Sequence, residues 1–231
     1  MVFILSQIFF NRSPINVAKD LLGKFLVCRT KKGIRRAMIT EVEAYDGPQD
    51  KACHASKGLT QRTAPMFGPA GYWYVYLIYG MYWMLNIVTR EEGYPAAVLI
   101  RGIAKITNTD EQRSSIDTTP HLCMYGFVRA HHDMQRCGVT RVAQGCRSRI
   151  EGGRGGRGRL GMTPCDGPGK LTKYFCIDNR FNAHLAHQKT ALWIEDSGVV
   201  VPEKQIKRTP RIGVEYAGEC AQKPYRFILS S

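Results

Sequence analysis

The sequence ITEVEAYDGPQDKACH, residues 39–54, is the stretch around which the rest of this chain is organised. It begins with apolar residues, Val42 and Ala44, that alternate with acids. Residues two apart on a β-strand point to the same side. Glu41, Glu43 and Tyr45 therefore share one face of the predicted strand. The following DGP has the residues that end strands in turns. His54 comes soon after, close enough to share a pocket with the strand.

The two glutamates of this strand support two interpretations. Two carboxylates buried on one face are costly without a purpose, and both burial and a second acid raise the pKa of a carboxyl group. In such surroundings Glu43 or Glu41 can act as a general base near neutral pH. The alternative is an exposed pair on a solvated strand face, which is the commoner fate of glutamate.

Length and charge restrict the class of protein. The chain has 231 residues and a net charge of +14. This length fits one large domain or two small ones and is enough to bury a core. The positive charge favours a polyanionic partner, either nucleic acid or an anionic membrane surface. A basic protein without such a partner is the alternative.

Cysteine usage and hydropathy indicate an intracellular protein. The eight cysteines are scattered without CxxC spacing, which favours a reduced compartment. The apolar N-terminus lacks the basic region and cleavage site of a signal peptide. The most apolar stretch, residues 72–88, is rich in tyrosine and carries Gly80 and Asn86. We therefore expect no membrane span.

The N-terminal region predicts a helix and then a hairpin. In SPINVAKDLLG, Ser13 suits the N-cap, Pro14 the first helical position and Gly23 the position beyond the end. Residues 24–29 and 34–45 predict two strands, which the turn sequence KKG joins.

Aromatic residues dominate the stretch YWYVYLIYGMYWMLNIV, residues 72–88. Alternation puts Tyr72, Tyr74 and Tyr76 on one face of a strand. A tyrosine-glycine pair at Tyr79 interrupts the run and predicts a tight bend that presents this tyrosine. Aromatic side chains beside basic loops suit stacking on bases. The alternative is a half-buried sheet with tyrosine hydroxyls at its rim.

Several cations are candidates for ion pairs or phosphate contacts. Arg101 lies in the apolar strand YPAAVLIRGI, where it either pairs with an acid such as Glu43 or reaches water at the strand end. Arg62, in the loop of residues 57–65, can bond phosphate oxygens or remain solvated. Lys170 follows a Gly-Pro-Gly turn, which holds a phosphate or is a turn without a ligand. The basic tail offers three more candidates for a nucleic-acid backbone contact, Arg211, Lys223 and Arg226.

Residues 105–165 differ in character from the rest of the chain. They hold few periodic apolar runs and include the tract EGGRGGRGRLG, a composition typical of disordered basic segments. We interpret them as an insertion in a single domain that spans residues 8–228. Their cysteines and histidines match no compact zinc-ligand spacing, so we expect no metal site from Cys123, His131, His132, Cys137 and Cys146.

Taken together, these pieces resemble the alkyladenine DNA glycosylases, also called 3-methyladenine or methylpurine DNA glycosylases. The matching pieces are FFNRSPINVAKDLLGKFLV, ITEVEAYDGPQDKACH, MFGPAG followed by YVYLIYGMYWMLNIV, VLIRG, DGPGKLTK and RIGVEYAGECAQKPYRF. With the segments between them they cover the greater part of the chain in the expected order. As a set they are highly specific.

The resemblance implies a monofunctional hydrolase of base excision repair, without metal or organic cofactor. Such enzymes flip alkylated or deaminated purines out of double-stranded DNA and hydrolyse the N-glycosidic bond. The resemblance implies Glu43 as the general base and Arg101 as the residue that helps to hold the water. It assigns the remaining positions to the pocket of the flipped base (Tyr45, His54, Tyr76 and Asn86), the wedge in the duplex (Tyr79) and further DNA contacts (Met81, Arg62 and Lys170).

The chain departs from the family pattern at three places. TQRT, residues 60–63, only loosely resembles the family's threonine-proline-arginine-asparagine loop. Cys220 stands where a tryptophan is usual. Residues 105–165 are longer than the family connector.

We therefore expect a single α+β domain with a curved, largely antiparallel sheet and short surrounding helices. The expected function is excision of damaged purines from double-stranded DNA by a monomer, in the cytoplasm or nucleoid of a bacterium or the nucleus of a eukaryote. A nucleic-acid-binding module that has lost catalysis is the alternative. A glycoside hydrolase using Glu41 and Glu43 is disfavoured, because two carboxylates on one strand face do not suit its acid–base geometry.

Overall fold

A computed structural model describes residues 2–107 and 161–230 of the chain. Most of the segment 105–165, including the cysteines and histidines considered above as zinc ligands, lies outside these residues. Along the chain the described helices and strands are β1 (Phe3–Ile4), α1 (Gln7–Phe10), α2 (Pro14–Leu21), β2 (Phe25–Thr30), β3 (Gly33–Asp46), β4 (Trp73–Ile78), β5 (Tyr82–Val88), β6 (Ala96–Thr107), β7 (Gly161–Asp166), α3 (Pro168–Phe175), β8 (Leu192–Asp196), β9 (Ile206–Thr209) and β10 (Arg226–Leu229).

The ten strands of the described residues form one open antiparallel sheet with the order β1-β8-β2-β3-β6-β5-β4. Strand β10 pairs with β3 and β9, and β7 pairs with β6. The long strand β3 is central, because it pairs with β2, β6 and β10. With its few short helices this architecture confirms the predicted α+β class and the largely antiparallel sheet.

Strand β3 carries an irregularity next to its acidic residues. The register with β6 shifts between Ile39 and Glu41 and again between Glu41 and Val42. Such a bulge bends a strand and redirects its side chains, and bulges are common beside active sites. The bulge precedes Glu43 and Tyr45. These two residues share one face of the strand, as the hydrogen bond from the Tyr45 hydroxyl to the Glu43 carboxylate shows.

Helix α2 has the ends that its sequence predicts. Ser13 is the N-cap residue and Pro14 the first helical residue, although the Ser13 side chain makes no capping hydrogen bond. Gly23, just beyond the helix, has φ +80°, and a Cβ there would come within 2.9 Å of the Val201 side chain. Only glycine therefore fits this exit. The buried face of the helix packs against β3, through Val17, Ala18 and Leu21.

The predicted hairpin of β2 and β3 is also present, and the predicted bend at Tyr79 joins the strands of a second hairpin. Strands β2 and β3 pair from Phe25–Met38 to Thr30–Gly33. Strands β4 and β5 are joined by residues 79–81, in which the φ angles of Tyr79 and Gly80 are +52° and +66°. These two residues with positive φ are the central residues of a tight turn, which a hydrogen bond from the Met81 N–H to the Ile78 carbonyl closes at 3.1 Å.

The core joins helices α1, α2 and α3 to the sheet. Its largest fully buried side chains include Trp73, Trp193, Phe10 and Phe175. The indole N–H of Trp73 donates to the carbonyl of Leu192 at 3.2 Å, which satisfies its polar atom inside the core. No helix within residues 2–107 and 161–230 is long and apolar enough to cross a membrane.

Candidate active site

A cavity of about 560 Å³ opens where β3, β4, β5 and β6 meet the segment 212–216 near the C-terminus. We call it the main cavity. Aromatic rings form much of its wall, and one arginine and one asparagine reach it from the sheet. The lining residues include Tyr45, His54, Tyr74, Tyr76, Tyr79, Asn86, Arg101, Ile212 and Tyr216.

Glu43 lies beside this cavity with a side chain that is 0% exposed. Its Oε1 accepts a hydrogen bond from the backbone N–H of Ile212 at 2.9 Å. Its Oε2 accepts from the hydroxyl of Tyr45 at 2.9 Å and from Nη1 of Arg101 at 3.3 Å. Glu41 is also buried, at 9% exposure. The interpretation of these glutamates as an exposed pair is therefore wrong.

Arg101 connects the two glutamates. Its Nε donates to Oε1 of Glu41 at 2.9 Å, while its Nη1 donates to Glu43. Glu41 also accepts from Nε of Arg226 at 2.7 Å. Two carboxylates thus share two guanidinium groups, which offsets part of the cost of burying the charges. The predicted contact between Arg101 and Glu43 is present.

The electrostatic surroundings make Glu43 an unusual acid. Burial raises the pKa of Glu43 above its ordinary value, whereas Arg101, the Ile212 N–H and the Tyr45 hydroxyl act to lower it. Burial also raises the pKa of Tyr45 well above its ordinary value, so this phenol stays protonated and donates. A carboxylate with a raised pKa accepts a proton more readily near neutral pH, which suits a general base.

Three rings form a continuous aromatic wall. Tyr74 and Tyr76 lie on one face of β4 with ring centroids 5.1 Å apart. His54 meets Tyr76 edge to face at 4.6 Å, and its Nδ1 lies 3.0 Å from the hydroxyl of Tyr74. Burial, with the positive charges of Arg62 and Lys57, lowers the pKa of His54 to about 4. The imidazole is therefore neutral at pH 7.

The β4–β5 turn stands at the mouth of the main cavity. Tyr79 lines the cavity and is nevertheless 83% exposed, and the neighbouring Met81 is also exposed. A large aromatic side chain in this position has little intramolecular contact to stabilise it. The predicted bend that presents Tyr79 is confirmed.

Asn86 closes the cavity from the sheet side. Its Nδ2 donates to the carbonyl of Tyr74 at 3.0 Å, and the residue is buried. This bond fixes the orientation of the amide group within the wall.

The predicted cationic contacts lie at the rim or beyond it. The guanidinium of Arg62 lies 5.0 Å from the centroid of the Tyr76 ring and lines a smaller cavity of about 250 Å³. Lys170 is exposed in the first turn of α3, two residues after Pro168, which lines the main cavity.

The C-terminal segment differs from its prediction. Arg211 is buried, not available to a nucleic-acid backbone, because it pairs with Asp50. Arg226 is engaged by Glu41. The expectation of a backbone contact is wrong for Arg211, which neutralises a carboxylate inside the protein. Arg226 and Lys223 are only partly buried, and a backbone contact from either stays a prediction. Cys220 is buried as well, and its thiol lies 3.6 Å from the carbonyl of Gln49.

Two contributors to the site were not singled out from the sequence. Tyr74 shares its face with Tyr76, as the alternation in β4 predicted, but it was not assigned to the pocket. The N–H of Ile212 is a main-chain donor, for which no side chain gives a signal. Among residues 2–107 and 161–230, no group of three histidines, cysteines or acids is arranged to hold a metal ion.

Comparison with known proteins shows which family and which relatives this chain resembles. The sequence pattern of the family described as methylpurine-DNA glycosylase (MPG) matches residues 8–231. Three similar proteins carry the name "Putative 3-methyladenine DNA glycosylase". The protein of Legionella pneumophila (strain Lens) is 54% identical over 97% of this chain and 93% of its own length. That of Methanocella arvoryzae is 40% identical over 97% and 91%, and that of Bdellovibrio bacteriovorus 35% over 98% and 95%.

Proposed function

The chain belongs to the methylpurine-DNA glycosylase family, and on this premise we propose that it hydrolyses the N-glycosidic bond of alkylated purines in double-stranded DNA. The observation that carries this proposal is the buried carboxylate of Glu43, held by three donors beside an aromatic cavity. The protein acts as a monomer in the compartment of the cell that contains its DNA.

The substrate base must leave the duplex before it can react. A water molecule cannot reach the glycosidic carbon of a stacked base, so the nucleotide rotates out into a pocket. Tyr79 at the exposed turn fills the gap in the base stack, since an inserted ring replaces part of the lost stacking. Met81, Arg62 and Lys170 contact the DNA around this position. The net charge of +14 supports binding to the phosphate backbone.

The aromatic wall suits a cationic base. Alkylation at a ring nitrogen gives a purine positive charge, and tyrosine rings attract cations placed over their faces. Tyr45 and Tyr76 provide such faces in the main cavity. His54 does not repel a cationic base, because its imidazole is neutral at pH 7. Asn86 crowds the exocyclic amino group of guanine, so guanine bases enter the cavity less readily than adenine bases do.

Glu43 then activates the water. A lone pair of the water oxygen forms a bond to the sugar C1′, and one proton of the water passes to the Glu43 carboxylate. The C1′–N bond breaks, its electron pair neutralises the cationic purine, and the base leaves uncharged. Arg101 holds the carboxylate and the water in place. Deaminated purines such as hypoxanthine are uncharged and need a proton to leave, so we expect them to be excised more slowly.

Base release from a duplex oligonucleotide tests this function. We expect free 7-methylguanine or 3-methyladenine from the wild-type chain and none from Glu43→Gln, while both bind the lesion duplex with similar affinity. Glu195→Gln is the matched control, because this glutamate pairs with Arg36 in another part of the sheet. Salt-sensitive binding of DNA without base release from the wild-type chain would instead support a binding module that has lost catalysis.

A further inference from the structure

A buried ion pair between Arg211 and Asp50 lies behind the main cavity. We propose that Arg211 and Asp50 are positioning residues for the reaction, which hold the Ile212 N–H and the Tyr45 ring in place around Glu43. This inference rests on the proposed function, because it assigns a task within the same site. Neither residue lines the main cavity, and their hydrogen bonds run to each other and to main-chain groups, so neither is proposed to contact the substrate.

The pair connects three separate parts of the chain. Arg211 is 5% exposed and Asp50 is 1% exposed. Arg211 donates to both carboxylate oxygens of Asp50, with 2.8 Å between Nη2 and Oδ1. It also donates to the carbonyl of Ala44 in β3 at 2.8 Å and to the carbonyl of Cys220 at 2.9 Å. One guanidinium therefore ties β3, the loop after β3 and the C-terminal segment together.

Asp50 organises the loop that leads to His54. Its carboxylate accepts a hydrogen bond from the backbone N–H of Ala52 at 3.2 Å and from that of Asp46 at 3.3 Å. The loop therefore folds around this side chain. Because Arg211 holds the same carboxylate, the path between the end of β3 and His54 depends on the ion pair.

Two of the three donors to Glu43 depend on Arg211. Ile212 follows Arg211 directly, so fixing the guanidinium also fixes the N–H that donates to Glu43 at 2.9 Å. The guanidinium also lies 4.8 Å from the centroid of the Tyr45 ring. The hydroxyl of that ring is the second donor to Glu43. The third donor, Arg101, comes from β6.

This arrangement predicts an effect on the proton affinity of Glu43. The groups that face Glu43 are Arg101 from β6, Glu41 and Tyr45 from β3, Tyr76 from β4, and the Ile212 N–H with Arg211 from the C-terminal segment. Hydrogen bonds to a carboxylate favour its charged form. If Arg211 no longer holds the Ile212 N–H and Tyr45, the pKa of Glu43 rises. The carboxylate is then protonated up to a higher pH.

The test compares Arg211→Lys and Asp50→Asn with the wild-type chain under single-turnover conditions. Lysine keeps the charge of Arg211 but cannot make four directed hydrogen bonds. Arg36→Lys is the matched control, since Arg36 pairs with Glu195 away from the cavity. We expect rates of base release to fall about 10- to 100-fold, the size of effect that misplaced catalytic groups produce. Lesion binding should remain within about twofold, and the acidic limb of the rate–pH profile should move to higher pH.

A second measurement separates this inference from the proposed function. The pKa of Glu43, followed by carbon NMR of labelled glutamate, should be higher in both variants than in the wild-type chain. This measurement applies even if the wild-type chain releases no base, a result that would refute the proposed function alone.

A folded variant with the wild-type rate profile and the wild-type Glu43 titration would overturn the positioning role. An equal loss of binding and rate without a shift in pH would also overturn it, as it indicates general disruption. Should Arg211→Lys fail to fold, Asp50→Asn, which retains the shape of the side chain, decides the question.

Discussion

Nη1 of Arg101 lies 3.3 Å from Oε2 of Glu43, whereas Nε of the same arginine lies 2.9 Å from Oε1 of Glu41. The guanidinium therefore divides its charge between two carboxylates. Glu41 has a second cation in Arg226, while Glu43 has no other salt bridge among the described residues. Glu43 thus has fewer cationic partners than Glu41, and its burial raises its pKa above the ordinary value.

Replacing Arg101 should therefore destabilise the protein strongly. Arg101→Gln leaves Glu43 buried without a cationic partner, and breaking a buried pair in this way costs about 3–5 kcal/mol. Urea denaturation of the variant and the wild-type chain measures this difference. Arg226→Gln is the comparison, because Glu41 keeps Arg101 after that change. A larger loss of stability from Arg226→Gln would contradict the central role of Arg101.

Glu43→Gln should stabilise the protein at neutral pH. The folded pKa of Glu43 lies above its ordinary value of 4.5, so the folded state binds this proton more tightly than the unfolded state. The free energy of unfolding therefore falls as the pH rises from the pKa of Glu43 in the unfolded state to its pKa in the folded state. Glutamine does not ionise, so the variant does not show this fall. We expect a higher melting temperature for the variant at pH 7.5 and a smaller difference at pH 4. A variant that melts below the wild-type chain at pH 7.5 would show that the carboxylate is stabilised by its three donors.

His54 should remain neutral throughout the physiological range. Its folded pKa is about 4 and its ordinary value is 6.5, so only the unfolded state takes up this proton between those values. The contribution of His54 to stability is complete above pH 6.5 and is lost as the pH falls towards 4. Proton–carbon NMR of labelled histidine should give a midpoint near 4 for His54, and His54→Gln should weaken the acid dependence of unfolding. A titration midpoint above 6 would refute the conclusion that burial keeps His54 uncharged in the aromatic wall.

Tyr79 should contribute to DNA binding and little to folding. Its side chain is 83% exposed, and its φ of +52° is one that glycine adopts without strain. Tyr79→Gly should therefore retain the wild-type melting temperature. Loss of the stacking ring should weaken binding to lesion DNA by about 1–3 kcal/mol. Fluorescence anisotropy with a lesion duplex measures this effect, and Ile34→Gly, at another exposed apolar side chain, is the control for nonspecific changes. Equal affinity of Tyr79→Gly and the wild-type chain for lesion DNA would show that Tyr79 does not fill the gap in the base stack.

Part of the site was predictable because it depends on neighbours in the sequence. The caps of α2 and the tight turn at Tyr79 follow from residues next to them. The common face of Glu43 and Tyr45 follows from the two-residue period of a strand, as does that of Tyr74 and Tyr76. The motifs in their order also indicated the family to which the chain belongs.

The sequence by itself thus determined the local elements, the residue types of the site and the family. Only the tertiary structure decided which of these residues meet. Arg101 and Glu43 are 58 positions apart, and Ile212 and Glu43 are 169 apart. Their contacts depend on strand register, on the bulge in β3 and on the return of the C-terminal segment to the sheet. The burial of Arg211 had no local signal for the same reason: its charge alone favours water, and only a carboxylate brought from 161 positions away makes the buried position stable.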